Sequence, residues 1–375
     1  MKFRIVAAVA LMLSVACVEV CCAGGRVTVE VASRDTEARK GESVRVEWSR
    51  LTDKLNISPA NVVVTDAKGA QIPSQVLYEG HAEPQGLLFQ ADVAPKGKSK
   101  YFVAKGRREE YPSRAYGRYV PERLDDYAWE NDLIAFRLYG PALTDPVSPG
   151  WDIWCKSTRN LIINKWYAGD NYHKNEGEGM DCFKVGVTLG CGACAPIVDG
   201  KVVLSGNYAT QQNLDNGPIR TTVRLTYAPF EVEGKMVAVE KIISLDAGSH
   251  FNMVKERYTG DFAKMTVAAG LVLHENNLVA TSERGSIITV EETASDSKEP
   301  VRDGNIFMAV VMPRCEPLRA DGHLLLTREV APEEEFTYRA GAGWSQGGIR
   351  DGQMWEELAR REEAKMNLPL EVSVF

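Results

Sequence analysis

Met236-Val237-Ala238-Val239-Glu240-Lys241-Ile242-Ile243-Ser244-Leu245, followed after an Asp- and Gly-containing turn by Phe251-Asn252-Met253-Val254-Lys255-Glu256-Arg257-Tyr258, decides the fold class. Both runs are rich in apolar and β-branched residues, with charges set between them, as strands half-buried in a sheet require. Further strand candidates lie on either side: Leu133 to Tyr139, Cys182 to Leu189, Thr221 to Tyr227, Met265 to Val272, Ser286 to Glu291, Asn305 to Met312, His323 to Thr327 and Glu335 to Ala340. Long strands joined by Gly and Asp turns imply antiparallel pairing and a large two-sheet sandwich.

Shorter alternating runs come earlier. Arg26 to Val31 and Ser43 to Trp48 alternate polar and apolar residues, and Asn61 to Thr65, Ser74 to Tyr78, Leu87 to Val93 and Tyr101 to Ala104 follow at short intervals. That spacing predicts a small β-sandwich over residues 24–106, a basic, proline-containing linker over 107–121, and the large sandwich over 122–375. One helix is expected, over 351–366, with Asp351 at its N-cap and Met354, Trp355 and Leu358 at helical spacing. The expected fold is therefore all-β with a single terminal helix.

Residues 1–23 read as a targeting segment. Lys2 and Arg4 precede an apolar run from Ile5 to Val18, too short to span a bilayer and suited to a signal-peptide core with cleavage after Ala23. Leu13-Ser14-Val15-Ala16-Cys17 is also a loose lipobox, with Cys17 as the anchor. The chain is expected to be secreted or periplasmic, or held at the outer membrane as a lipoprotein. No later apolar stretch has membrane length.

The 375 residues carry 44% hydrophobic and 25% charged side chains, ordinary globular values, with a formal net charge of −7. An acidic chain lacks the basic face that phosphate neutralisation needs, which argues against nucleic acid as a partner. Cys155, Cys182, Cys191, Cys194 and Cys315 follow the targeting segment. Gly190-Cys191-Gly192-Ala193-Cys194 has the spacing of a redox or zinc pair but lacks a second pair, and reads as structural; a disulfide among these cysteines is open in an exported chain.

The stretch that points to chemistry is Asp170-Asn171-Tyr172-His173-Lys174-Asn175-Glu176-Gly177-Glu178-Gly179-Met180-Asp181. Its acids and histidine follow the aromatics Trp151, Trp154, Trp166 and Tyr167, and flat rings beside polar groups suit the face and hydroxyls of a sugar. His173 is the first candidate for proton transfer, with Tyr172 beside it, and His274, at the end of an apolar strand, is the second. Arg220 and Lys165 are candidates for a substrate carboxylate. Asn171, Glu178 and Trp344 complete the expected contacts to an oligosaccharide or polysaccharide. Asp170, Glu176 and Asp181 are oxygen donors at irregular spacing and form a candidate calcium set, with an acidic solvated loop as the alternative.

Trp129-Glu130-Asn131-Asp132 running into Ala135-Phe136-Arg137-Leu138-Tyr139-Gly140-Pro141 resembles secreted Bacteroidetes proteins of domain-of-unknown-function family 4861. So do Asp170-Asn171-Tyr172-His173, Gly177 to Asp181, Asp215-Asn216-Gly217-Pro218-Ile219-Arg220 and Gly341-Ala342-Gly343-Trp344. The resemblance implies a galactose-mutarotase-like supersandwich and a place in polysaccharide breakdown, often of uronic-acid glycans. Fold alone does not fix function. Three readings stay open: β-elimination on a uronate saccharide, mutarotation or glycoside hydrolysis, and glycan binding without catalysis.

Overall fold

The computed structural model describes residues 25–375 apart from 146, 170 and 284. The expected targeting segment with its candidate anchor Cys17, and the candidate calcium ligand Asp170, lie outside the described residues.

Alternation builds the small sandwich as expected. In Arg26–Ala32 every second residue is buried, and Val27, Val29 and Val31 face Val44, Val46, Leu87, Phe89 and Val103. One of its two sheets pairs Arg39–Glu47 with Gly86–Val93 and Ser74–Leu77. The other runs Arg26–Ala32, Lys98–Lys105, Val62–Thr65 and Gln71–Ile72, the last of them not expected. Glu371–Val374 returns to pair antiparallel with Arg26–Ala32, Val29 opposite Val374 and Val31 opposite Val372. Residues 122–375 therefore do not all belong to the large sandwich. The connection is also shorter than 107–121: only 106–114 lack regular structure, and Ala115–Val120 already pairs with Asp126–Asn131.

The large unit is an antiparallel supersandwich. A nine-stranded sheet has at its centre Arg220–Tyr227, Lys235–Asp246, Phe251–Gly260, Glu335–Trp344 and Asn305–Val311. Two five-stranded sheets cover its inner face. One centres on Cys191–Val198, Met265–Val272 and His323–Val330; the other on Asp126–Asn131, Ile134–Leu138 and Asp152–Lys156. Their inward side chains form one continuous core containing Trp129, Trp151, Val254, Leu271, Met308 and Tyr338. On the opposite face of the large sheet lies the helix Gly352–Asn367, its Trp355 stacked on Phe251 at 5.1 Å. Asp351 caps it, accepting from the Met354 N–H at 2.8 Å. Three further short helices, Trp48–Thr52, Ile163–Tyr167 and Pro300–Asp303, were not expected. Among the described residues no helix is long and apolar enough to cross a membrane.

One predicted strand fails. Residues 182–189 are irregular, although Cys182, Phe183, Val185 and Leu189 are buried, and the strand begins at Cys191. Gly190 marks the break: its φ is +54°, and an added Cβ would sit 2.3 Å from the Trp151 carbonyl oxygen. Apolar content had predicted burial, and burial occurs without a ladder. Cys191 and Cys194 lie on that strand, on either side of a register shift. All five described cysteines are free thiols, and the Cys194 carbonyl accepts from buried Lys241 at 2.7 Å. The pair is part of the core.

Buried charge fixes the cleft-bearing sheet. Lys156 and Glu130 are both fully enclosed and 2.7 Å apart. Glu130 also accepts from the N–H groups of Ile162 and Ile163, the start of the helix Ile163–Tyr167. Burial drives the Lys156 pKa down and the Glu130 pKa up, against the attraction between them. Removing one partner leaves the other uncompensated, so Lys156→Met is expected to lower unfolding free energy by about 3–5 kcal/mol in chemical denaturation. A second outcome concerns Asp126, buried at the start of its strand, with Tyr167 donating to it at 3.1 Å. Burial, opposed by Arg137 and Arg123, pushes its pKa up to about 6. Between an unfolded value near 4 and that level the folded protein holds a proton the unfolded chain releases. Stability therefore falls as pH rises through this interval, by about 3 kcal/mol for this group alone. Asp126→Asn should remove that slope in denaturation series on either side of pH ~5.

Candidate functional site

Arg137 interrupts the apolar strand Ile134–Leu138 and is buried between two carboxylates on the strands beyond it. Asp152 and Asp181 both pair with its Nη2, Asp181 at 3.1 Å. Each carboxylate is about 1% exposed. Burial pushes both acids above the usual carboxylate range; each is opposed by Arg137, and Asp181 is raised further by neighbouring Asp152. The guanidinium stays charged, since the two acids outweigh its own burial. The rings of Tyr139, Trp154 and Tyr172 lie 5.1, 5.4 and 5.7 Å from its carbon.

The loop over 171–179 is built on this base. The Tyr172 ring stacks on Trp154 at 5.0 Å, its hydroxyl reaches Arg137 at 3.4 Å, and its carbonyl accepts from the Asp181 N–H at 2.8 Å. Asn175 accepts from the Gly177 N–H at 2.8 Å, closing a turn. Gly179 has φ +122°, and a Cβ there would lie 2.0 Å from the Cys155 carbonyl oxygen. Only glycine lets the strand approach so closely. His173 rides on the loop with its side chain 51% exposed. Its Nδ1 lies 3.3 Å from the Asp181 carbonyl oxygen, 3.7 Å from the Asp181 carboxylate and 3.9 Å from Asp296.

Asp296 belongs to the opposite wall, residues 296–303. The Trp344 Nε1 donates to the Asp303 carbonyl at 2.7 Å, and Gln346 donates to the Arg302 carbonyl at 2.8 Å. Gln346 also accepts from Asn175 at 3.4 Å, so it touches both walls. Between them lies a cleft of about 820 Å³ lined by His173, Lys174, Asn175, Asp296, Lys298 and Arg302 among others. Its volume lies in the range of small-molecule sites. A smaller recess of about 120 Å³ adjoins it through the shared residues Asn171 and Lys174, and reaches Trp166, Tyr172, Lys165 and Glu178.

The structure thus brings together His173, Asn171, Tyr172, Lys165, Glu178 and Trp166. Lys165 and Glu178 pair at 2.6 Å. Other expectations are corrected. Trp151, Trp154 and Trp344 are at most 1% exposed and offer no face to a sugar; Trp344 instead props the far wall. Trp166 is 8% exposed and can present only an edge, and Tyr167 is spent on Trp154 and Asp126. Arg220 lies elsewhere, paired with Asp246 and bonded to Gln75 of the small sandwich, so it cannot meet a ligand beside His173. His274 lines neither cavity. It bonds to buried Glu292 at 2.9 Å, with Phe183 against its ring. Of the candidate calcium ligands that are described, Asp181 is committed to Arg137 and Glu176 is exposed. Among the described residues no group of three His, Cys, Asp or Glu is placed to hold a metal.

Asp296, Lys298, Arg302 and Gln346 were missed, as were Arg137 and Asp152 beneath. Ser295-Asp296-Ser297-Lys298-Glu299-Pro300 looks like an ordinary polar connection. The legible signal was Arg137, a lone charge inside an apolar run.

A protein of Formosa agariphila, described as "Uncharacterized protein P7", is 30% identical over 92% of this chain and 89% of its own length. Among solved structures, a protein in the glycosyl hydrolase family 38 from Enterococcus faecalis aligns over 93% of the chain with a TM-score of 0.52 and 11% identity. An alpha-mannosidase from Enterococcus faecalis V583 aligns over the same share with a TM-score of 0.45 and 8% identity. The chain spans about half the length of these two, 47% and 46%. The first likeness is one of fold, the supersandwich described above. A family profile described as "Domain of unknown function (DUF4861)" matches residues 31–372, and the chain belongs to that family.

Proposed function

We propose that this protein is an exported carbohydrate-active enzyme that takes an oligosaccharide into the His173 cleft and works on it by acid–base chemistry. The observation that carries this reading is the placement of His173. A half-exposed imidazole at the mouth of an open polar cleft, with its Nδ1 against the buried Asp181, is equipped to move a proton to or from a ligand. The amides of Asn171, Asn175 and Gln346 suit sugar hydroxyls. The fold likeness to a glycosyl hydrolase family 38 protein supports a carbohydrate ligand, and the targeting-like first 23 residues support a role outside the cytoplasm.

Within that reading a uronate substrate and β-elimination are favoured. His173 would remove the proton α to the carboxylate, the resulting enolate would break the C–O bond at the β carbon, the departing sugar oxygen would take a proton from the imidazolium or from water, and a double bond would remain between the α and β carbons. That chemistry needs positive charge near the carboxylate. Lys174 and Lys298 line the cleft on opposite walls, and neither forms an ion pair among the described residues, so they replace Arg220 in this role. Asp296, 3.9 Å from His173, favours a second reading in which histidine and carboxylate act as an acid–base pair in mutarotation or hydrolysis. A binder without catalysis is the third outcome.

Incubation with a panel of uronate and neutral oligosaccharides, following ultraviolet absorbance and reducing ends together, separates these readings. New absorbance is expected with a uronate oligosaccharide, and His173→Ala should cut turnover by ~100-fold or more while leaving affinity nearly unchanged. Reducing ends without absorbance would sink elimination in favour of hydrolysis. Binding with neither signal would leave only the non-catalytic role.

A further inference from the structure

We propose that Asp181 is the positioning residue of His173, holding the imidazole so that its proton sits on Nδ1 and Nε2 is the atom that exchanges a proton with a ligand. This rests on the reading of His173 as the proton-transfer group. The geometry behind it stands independently of any reaction.

Three oxygens surround Nδ1: the Asp181 carbonyl at 3.3 Å, the Asp181 carboxylate at 3.7 Å and the Asp296 carboxylate at 3.9 Å. A carbonyl has no proton to give, and the Asp181 Oδ2 that faces Nδ1 is the oxygen that already accepts from Arg137, so it too is an acceptor. A neutral imidazole with its lone pair on Nδ1 would point that pair at acceptors. With the proton on Nδ1 the same arrangement becomes attractive, and the lone pair moves to Nε2. In free histidine the Nε2–H form dominates, so the site would reverse the ordinary preference.

Asp181 is suited to this task because it cannot move. Its side chain is 1% exposed and bound to Arg137, whose second partner is Asp152. Its N–H donates to the Tyr172 carbonyl at 2.8 Å, fixing the backbone next to His173. The Tyr172 ring lies 4.7 Å from the imidazole, which limits rotation on that side. One buried residue thus anchors the loop through its N–H and orients the ring through two oxygens. Asp296 is 55% exposed on the facing wall and lacks such a clamp, so it is the weaker orienting group. Lys174, next in the chain and exposed, is the charged neighbour on the cleft side. Asp181 acts through His173 and does not touch ligand.

The test is the nitrogen-15 spectrum of the full chain labelled at histidine, with His173 assigned by its loss in His173→Gln. In the neutral imidazole the Nδ1–H tautomer is expected to predominate at His173. Asp181→Asn should shift the population toward Nε2–H, while Asp296→Asn leaves it nearly unchanged. An Nε2–H form in the wild-type protein overturns the proposal, as does a shift caused by Asp296→Asn and not by Asp181→Asn. The wild-type spectrum decides the matter even where Asp181→Asn fails to fold. Where a turned-over saccharide is in hand, Asp181→Asn should lower kcat by ~10-fold or more with KM little changed. Absence of any turnover would count against the function proposed above, and the tautomer would still decide this inference.

Discussion

The pairing of Arg137 with Asp152 and Asp181 is the constraint on which the cleft depends. Three ionisable groups with almost no exposure form an arrangement whose desolvation costs several kcal/mol per ion unless every partner is in place. The arginine lies on one strand, Asp152 on its neighbour and Asp181 on the next. A slip of one residue in either ladder would move a charge to the opposite face of the sheet. The triad therefore specifies register across three strands while the surrounding apolar core, which would tolerate many packings, supplies the bulk of the stability.

From that register the site follows in sequence. Asp181 ends the last of these strands and begins the support of His173. Tyr172 is clamped between Trp154 and Arg137. Glu130, through Lys156 and two backbone N–H groups, places the short helix that leads into the loop. A second buried network, Lys241 with Glu256, Tyr258 and Tyr338, sits at the irregular start of the strand Cys191–Val198 and satisfies carbonyls that the register shift releases. In both places buried polar groups occupy positions where the backbone departs from a regular ladder, as full satisfaction of buried hydrogen bonds requires.

Much of the fold was legible because strand alternation and helix capping are local physics. Lys235–Asp246 and Phe251–Gly260 were predicted within a residue or two at each end, and Asp351 caps the helix as expected. The site was legible only where it is contiguous, along 171–178. The opposite wall comes from a segment more than a hundred residues later, and nothing in its composition marks it. Trp151 and Trp154 misled because adjacency in sequence to a polar loop does not say which face of a strand a ring occupies. Arg220 misled because its partner, Asp246, belongs to a neighbouring strand that the segment itself does not reveal. The irregular buried stretch over 182–189 shows the same limit: hydrophobicity predicts what is inside, and not how its backbone is satisfied.

The antiparallel pairing of Glu371–Val374 with Arg26–Ala32 has a consequence for how the chain acquires its structure. The small sandwich is made almost entirely of the first eighty described residues, yet one edge of its larger sheet stays unpaired until the far end of the chain arrives. Until then, that edge would be an open template for strand addition by other chains. Contacts separated by some 340 residues close late, because loop-closure entropy must be overcome first. The large sandwich must therefore be substantially formed before the small one can be completed. The last strand acts as a seal on the order of assembly, added to the contacts that Gln75 and Tyr78 make with the large unit.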